Sequence, residues 1–254
     1  MYFTKEYVTG QPLNLKKYTL GYINQPIVDY FMYDYDFIDF IKPYYMGITL
    51  SYDELCKKNK FYFSYFLQIM NESKLIMNSF YKGLTLLYNT SLEDMEFFKD
   101  EDGGDKIILR IDEKGTRKKE GEHGNPLAFI SDDNFLVLCE VVLEMCLFEK
   151  PKEEGEIKGD PKLVERFKEQ RRKYLQSRKN DDGILFENMV REIMYLQNIR
   201  SYEEIKNTTV WWLRDAYSVE TLRVSEEKQW KMASGGKYSP KKIKSWQKIT
   251  KLKK

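Results

Sequence analysis

The sequence predicts an α+β protein, mainly helical, with a small antiparallel β insert at about residues 95–130. Three observations carry that expectation. Apolar residues recur three and four apart through most of the 254 residues, the spacing that lines one face of a helix. The period shortens around "MEFFKDEDGGDKIILRIDEKG", which reads as strand, Asp-Gly turn, strand. Hydrophobic residues make up 42% of the chain, enough to fill a core.

In chain order, Met1 to Gln25 is short and strand-like, punctuated by Gly10, Pro12, Gly21 and Pro26. Ile27–Met46 carries Ile27, Tyr30, Phe31, Tyr35, Ile38 and Ile41 at helical spacing. Pro26 suits its first turn, and Pro43 and Gly47 are expected to end it. Ser51 and Glu54 form a capping-box pattern for a short helix at Ser51–Lys57. Phe61–Met70 and Glu72–Tyr88 read as two further helices, the second interrupted at Gly83. The hairpin follows, and "PLAFIS" reads as a third strand after a polar, glycine-bearing loop. Ser131 or Asp132 caps a helix running to Phe148, with Phe135, Leu136, Cys139, Val142, Leu143 and Cys146 on its apolar side.

"EKPKEEGEIKGDP" has the composition of a linker, and Pro161 opens a charged helix with a thin apolar stripe. Gly183–Gln197, Ser201–Lys206 and Thr208–Ser234 make a helical C-terminal part, stopped by Gly235 and Gly236 in left-handed conformation. A last short helix carries Ile243, Trp246 and Ile249 on one face. The expected organisation is an aromatic-rich region with the β insert over 1–150, a linker and charged helix over 151–183, a helical unit over 184–236, and a basic amphipathic tail over 237–254.

Charge is distributed unevenly. Eight lysines and no acid lie between Lys237 and Lys254, so with a net charge of +2 the preceding part carries −6. The three cysteines form no CxxC pair and no even-numbered disulfide framework, which points to buried thiols in a reducing compartment. The start lacks a basic stretch followed by an apolar one, and no apolar run reaches the ~18 residues of a membrane span. No membrane partner is expected.

Catalytic motifs are sparse. His123 is the one histidine, so no His-His or His-Cys metal spacing exists. There is no GxSxG, no Walker GxxxxGK[ST] and no GxGxxG, so no cofactor is expected. Asp112-x-Lys114 at a strand end, with Asp94 or Asp100 as a further acid, matches the acid-and-lysine pairing of a metal-dependent nuclease. The same residues also describe a solvated turn. "GILFENMVREIMYLQNIRSYEEIKNTTVWWLRDAYS" has a helix-turn-helix outline. Its third helix, however, opens with Trp211, Trp212 and Leu213, which are packing groups rather than base readers, and its one nearby base is Arg214. The tail interleaves Tyr238 and Trp246 with lysines. That fits a nucleic-acid arm, but Trp246 on an otherwise apolar stripe of Ile243 and Ile249 favours an amphipathic helix that docks on protein.

The segments "GQPLNLKKYTLGYINQPIVDYF" near the start and "SYEEIKNTTVWWLRDAYSVETL" with "WKMASGGK" near the end resemble the opening and close of tail-morphogenesis proteins from phages of low-GC Gram-positive bacteria. The resemblance covers under half of the chain. It implies a non-enzymatic protein like a tail assembly chaperone, or a tail-associated structural protein. Such a protein works in the host cell cytoplasm or the virion tail, with tape measure, tube or baseplate components as partners, and self-association is compatible with it. The resemblance brings no catalytic residues. The residues expected to bind a partner are Trp211, Trp212, Tyr238, Lys241, Lys242, Ile243, Lys244 and Trp246. The alternative functions are nucleic-acid binding through the helix-turn-helix-like unit and tail, and metal-dependent nuclease activity.

Overall fold

The computed structural model describes residues 4–52, 61–99, 101–109, 128–148 and 186–235. Within them the protein is mainly helical, with one two-stranded and one three-stranded antiparallel sheet. The chain opens with helix α1 (Thr4–Thr9) and a minimal ladder of β1 (Leu13–Asn14) with β2 (Tyr22–Ile23). Among the described residues of the first 25, strand is confined to these four. Gly10, at φ 68°, turns the chain sharply after α1.

The helix expected over Ile27–Met46 is two pieces. A π turn at Tyr30–Asp34 gives way to extended backbone at Tyr35, and α2 then runs Phe37–Ser51. The break has a local cause. Asp36 caps α2 by accepting from the Asp39 N–H at 2.9 Å, and Tyr35 leaves the helical path to donate its hydroxyl to the Ser79 carbonyl. Pro43 and Gly47 do not end α2 but lie inside it. A Cβ on Gly47 would sit 2.7 Å from Cys139 Sγ, so this glycine lets a neighbouring helix approach. Ser51 is the last residue of α2, its hydroxyl donating to the Ile48 carbonyl; positions 53–57 of the short helix expected over Ser51–Lys57, Glu54 among them, lie outside the described residues.

Helices α3 (Tyr62–Asn71) and α4 (Lys74–Tyr88) follow as expected. Gly83 does not interrupt α4. It is a second close-approach site, where a Cβ would meet the Tyr44 hydroxyl at 2.6 Å. Strands β3 (Met95–Lys99), β4 (Asp105–Leu109) and β5 (Ala128–Ile130) form the insert in the order β3-β4-β5. Helix α5 (Phe135–Met145) starts one turn later than Ser131 or Asp132. Asn134 occupies the boundary, buried and fully bonded. Its Oδ1 accepts from Ser131 N–H, and its Nδ2 donates to the Tyr18 and Phe129 carbonyls. Asp132 caps α3 instead, accepting from the Phe63 N–H.

The core is aromatic. Phe135 contacts Phe66, Phe63, Tyr62 and Phe80 with ring centroids 4.4–6.1 Å apart. Helices α6 (Phe186–Leu196) and α7 (Val210–Ser234), joined through a 3-10 turn at Tyr202–Glu204, belong to the same hydrophobic cluster. Phe186 stacks on Phe37 at 5.2 Å. The segment before α7 runs beside Pro26–Asp29, with Val210 N–H bonded to the Pro26 carbonyl and Val28 N–H to the Thr208 carbonyl. Thr209 caps α7 by accepting from Trp212 N–H. Gly235, the C-cap of α7, has φ −82° rather than a left-handed conformation. The linker and charged helix at 151–183, the tail at 237–254 and Gly236 lie outside the described residues.

Candidate protein-binding surface

Strand β3 is the most apolar part of the described surface that belongs to a sheet. It is an edge strand, and its burial falls away after Met95. Phe97 is 52% exposed and Phe98 37%, on opposite faces because successive strand residues alternate. The opposite edge of the sheet is closed. Phe129 of β5 donates its N–H to the Thr19 carbonyl at 2.9 Å, and its carbonyl accepts from Asn134 Nδ2 at 2.7 Å. One edge is therefore sealed by the amino-terminal segment, and the other carries two exposed phenylalanines.

A groove of about 550 Å³ runs between α3, the start of α4 and the hairpin, lined by Leu67, Gln68, Met77, Tyr81, Phe97 and Lys99 among others. Phe97 meets Tyr81 edge-on at 5.2 Å, forming an aromatic wall. The hairpin is held against α3 by the Asp105 N–H, which donates to Ser64 Oγ at 2.7 Å. Burial pushes the Tyr81 phenol up, and the Asp105 charge adds to it. Burial also raises the Asp132 carboxyl, against the opposing Phe63 N–H bond, with Asp133 and Asp105 contributing further.

A second exposed apolar feature lies on α7. Val210, Trp211 and Leu213 are buried, and among the described residues the hydrophobic side chains of α7 that pack on the core end at Tyr217. The distal half carries Trp230, 50% exposed, its Nε1 bonded to Glu226 at 3.2 Å, and an ion-pair ladder of Arg223 with Glu220 and Glu227.

Of the expected binding residues, the structure describes Trp211 and Trp212. Trp211 is not a surface group: it is 4% exposed and stacks on Tyr7 with ring centroids 5.9 Å apart. Trp212 is half-buried against the core. Tyr238, Lys241, Lys242, Ile243, Lys244 and Trp246 lie outside the described residues. Arg214, the base of the helix-turn-helix outline, is held over the Phe37 and Phe148 rings at 5.5 and 5.8 Å, and burial lowers its pKa. The first turn of α7 therefore faces the core and not a groove of DNA. Of the nuclease residues, Asp100, Asp112 and Lys114 are outside the described residues. The Asp94 carboxylate accepts from Ser91 N–H and from the Ser91 and Thr90 hydroxyls, which is a capping role. Among the described residues no three His, Cys, Asp or Glu side chains are grouped to hold a metal, and no helix is long and apolar enough to cross a membrane. Cys139 and Cys146 are buried. Burial pushes the Cys146 thiol up to about 12, against the Arg214 charge, and raises Cys139 well above its ordinary range.

Sequence reasoning missed Phe97 and Phe98 as surface groups. The signal was present: two aromatics side by side in a strand cannot both face one core. No protein-family model, curated protein or solved structure matches the chain.

Proposed function

We propose that this chain is a non-enzymatic assembly factor or structural component of a phage tail, acting through protein–protein contacts. The observation that carries the contact role is the exposed edge of β3 with its aromatic groove. Monomeric folds normally blunt such an edge or cover it. The tail assignment rests on the likeness of Gly10–Phe31, Ser201–Leu222 and Trp230–Lys237 to tail-morphogenesis proteins. The partners are then tape measure, tube or baseplate components.

The test is affinity purification of the tagged full chain from a nuclease-treated lysate of its phage-infected host, with partners identified by mass spectrometry. Tail components are expected to remain bound after nuclease. Material that consists of nucleic acid before treatment, with no protein left afterwards, would overturn the reading and assign the lysine-rich 237–254 segment as a nucleic-acid arm.

A further inference from the structure

The parity of the β insert determines which backbone groups of β3 are unpaired. Phe129 directs its N–H and C=O away from β4, towards Thr19 and Asn134. Its register partner Ile108 is therefore in a non-bonded pair on that side, and Ile107 and Leu109 are the β4 residues bonded to β5. Alternation along β4 then turns Lys106 and Ile108 towards β3, where they face Phe98 and Glu96. The Asp105 N–H, pointing away from β3 to Ser64 Oγ, agrees with this parity. Hence Glu96 and Phe98 hold the ladder, and Met95, Phe97 and Lys99 present their backbone outward. Met95 N–H is taken by the Leu92 carbonyl. The N–H and C=O of Phe97 and Lys99 and the C=O of Met95 remain, on residues that carry no further bond.

From this we infer that β3 accepts an extended segment of a partner polypeptide as a fourth, antiparallel strand. The inference rests on the protein-contact reading above and gives it a site and a chemistry. A guest residue opposite Phe97 exchanges two hydrogen bonds with it, and the residue opposite Lys99 does the same. Both guest side chains lie on the Phe97 face, beside Tyr81 and Leu67 and over the groove. Lys99 makes no ion pair among the described residues. Charge complementarity therefore favours an acid opposite it, and the aromatic wall favours an apolar side chain opposite Phe97. Because the strands run in opposite directions, the guest reads acid, any residue, apolar.

A second copy of β3 fits less well. Two-fold pairing at Phe97 sets each Met95, whose N–H is already bonded, against Lys99 of the other copy. It also leaves both lysines facing a methionine rather than an acid.

The test uses the full chain and a fluorescein-labelled peptide Ser-Thr-Glu-Thr-Val-Thr-Val-Ser, followed by fluorescence anisotropy and amide exchange by NMR. N-methylation of the first Val, whose N–H faces Phe97, is expected to weaken binding at least about tenfold. N-methylation of the Thr before it, whose N–H points away, leaves binding unchanged. Replacing Glu by Lys weakens binding. On the protein, Lys99→Pro removes one outward N–H from an edge position where proline is tolerated, and it weakens binding further than Lys99→Ala does. Whether or not Lys99→Pro folds, in the wild-type chain Phe97 and Lys99 amides exchange fast alone and slowly with peptide, and Glu96 and Phe98 exchange slowly throughout.

Equal effects of the two N-methylations, no peptide binding, or protection of Phe97 and Lys99 by self-association alone would each overturn the inference. If lysate partners stay bound to Lys99→Pro, the strand site is wrong and the protein-contact role stands. If the peptide docks on β3 and no lysate protein is captured, the tail-assembly reading fails and the strand site stands.

Discussion

Replacing Gly83 by alanine should destabilise the protein, and removing one distant oxygen should reverse the sign. Gly83 lies within α4, where alanine is favoured over glycine by about 1 kcal/mol on helix propensity alone. The new methyl, however, would sit 2.6 Å from the Tyr44 hydroxyl oxygen, with the nearest ring carbons at an ordinary 3.4 Å. Tyr44 cannot withdraw, because it is fully buried with Phe40 and Phe80 against it at 5.7 and 5.9 Å. Overpacking of this kind costs about 1–3 kcal/mol, so Gly83→Ala is expected to lose about 1 kcal/mol net. The Tyr44 hydroxyl has no hydrogen-bond partner. Tyr44→Phe therefore removes a buried polar group and is expected to be neutral or stabilising. In the Tyr44→Phe background the clash disappears and Gly83→Ala should stabilise by about 1 kcal/mol, a coupling of about 2 kcal/mol. Urea denaturation of the four chains, compared at constant m-value, measures it. A Gly83→Ala effect of the same sign and size in both backgrounds would refute the argument.

Two other expectations follow from the same packing. In a Cys56→Ser chain, Cys139 and Cys146 should not react with a thiol reagent in native buffer and should both react in urea, because burial holds them protonated and inaccessible; a native thiol titration reads this directly. At Asp132 the folded-state pKa is raised, so ionisation there opposes folding, and that penalty is present at neutral pH and fades as pH falls through the carboxylate range. Asp132→Asn keeps an oxygen for the Phe63 N–H and should be the more stable chain at pH 7, with the difference shrinking towards pH 4. Asp132→Ala should lose about 1 kcal/mol with the cap, and urea midpoints at the two pH values separate the cases.

Legibility in the sequence depended on whether a signal was local. The hairpin with its Asp-Gly turn and the strand "PLAFIS" were readable because period, turn residues and length agree within a few residues. The helix class was readable for the same reason. Errors arose where a distant partner decides. Gly47 and Gly83 look like helix breakers in isolation, and their roles are set by Cys139 and Tyr44, far along the chain. The Ile27–Met46 periodicity is sound, but Tyr35 answers to the Ser79 carbonyl and Asp36 takes the cap. The sequence reads Trp211 as a core or interface group, and Tyr7 of α1, far along the chain, claims it for the core.

The β3 edge shows why a surface site of this kind escapes sequence patterns. That one of two adjacent strand aromatics is exposed follows from alternation, but the outward direction of the Phe97 N–H follows from Phe129 bonding to Thr19, two elements away in space and far apart in sequence. A substitution at Thr19 or Asn134 that loosens the β5 edge would leave β3 chemically unchanged and open a competing edge on the other side of the sheet. The sealed edge is therefore as much a part of the specificity as the open one. With β5 closed, an incoming strand finds one unpaired row of backbone groups, in one register, beside one groove.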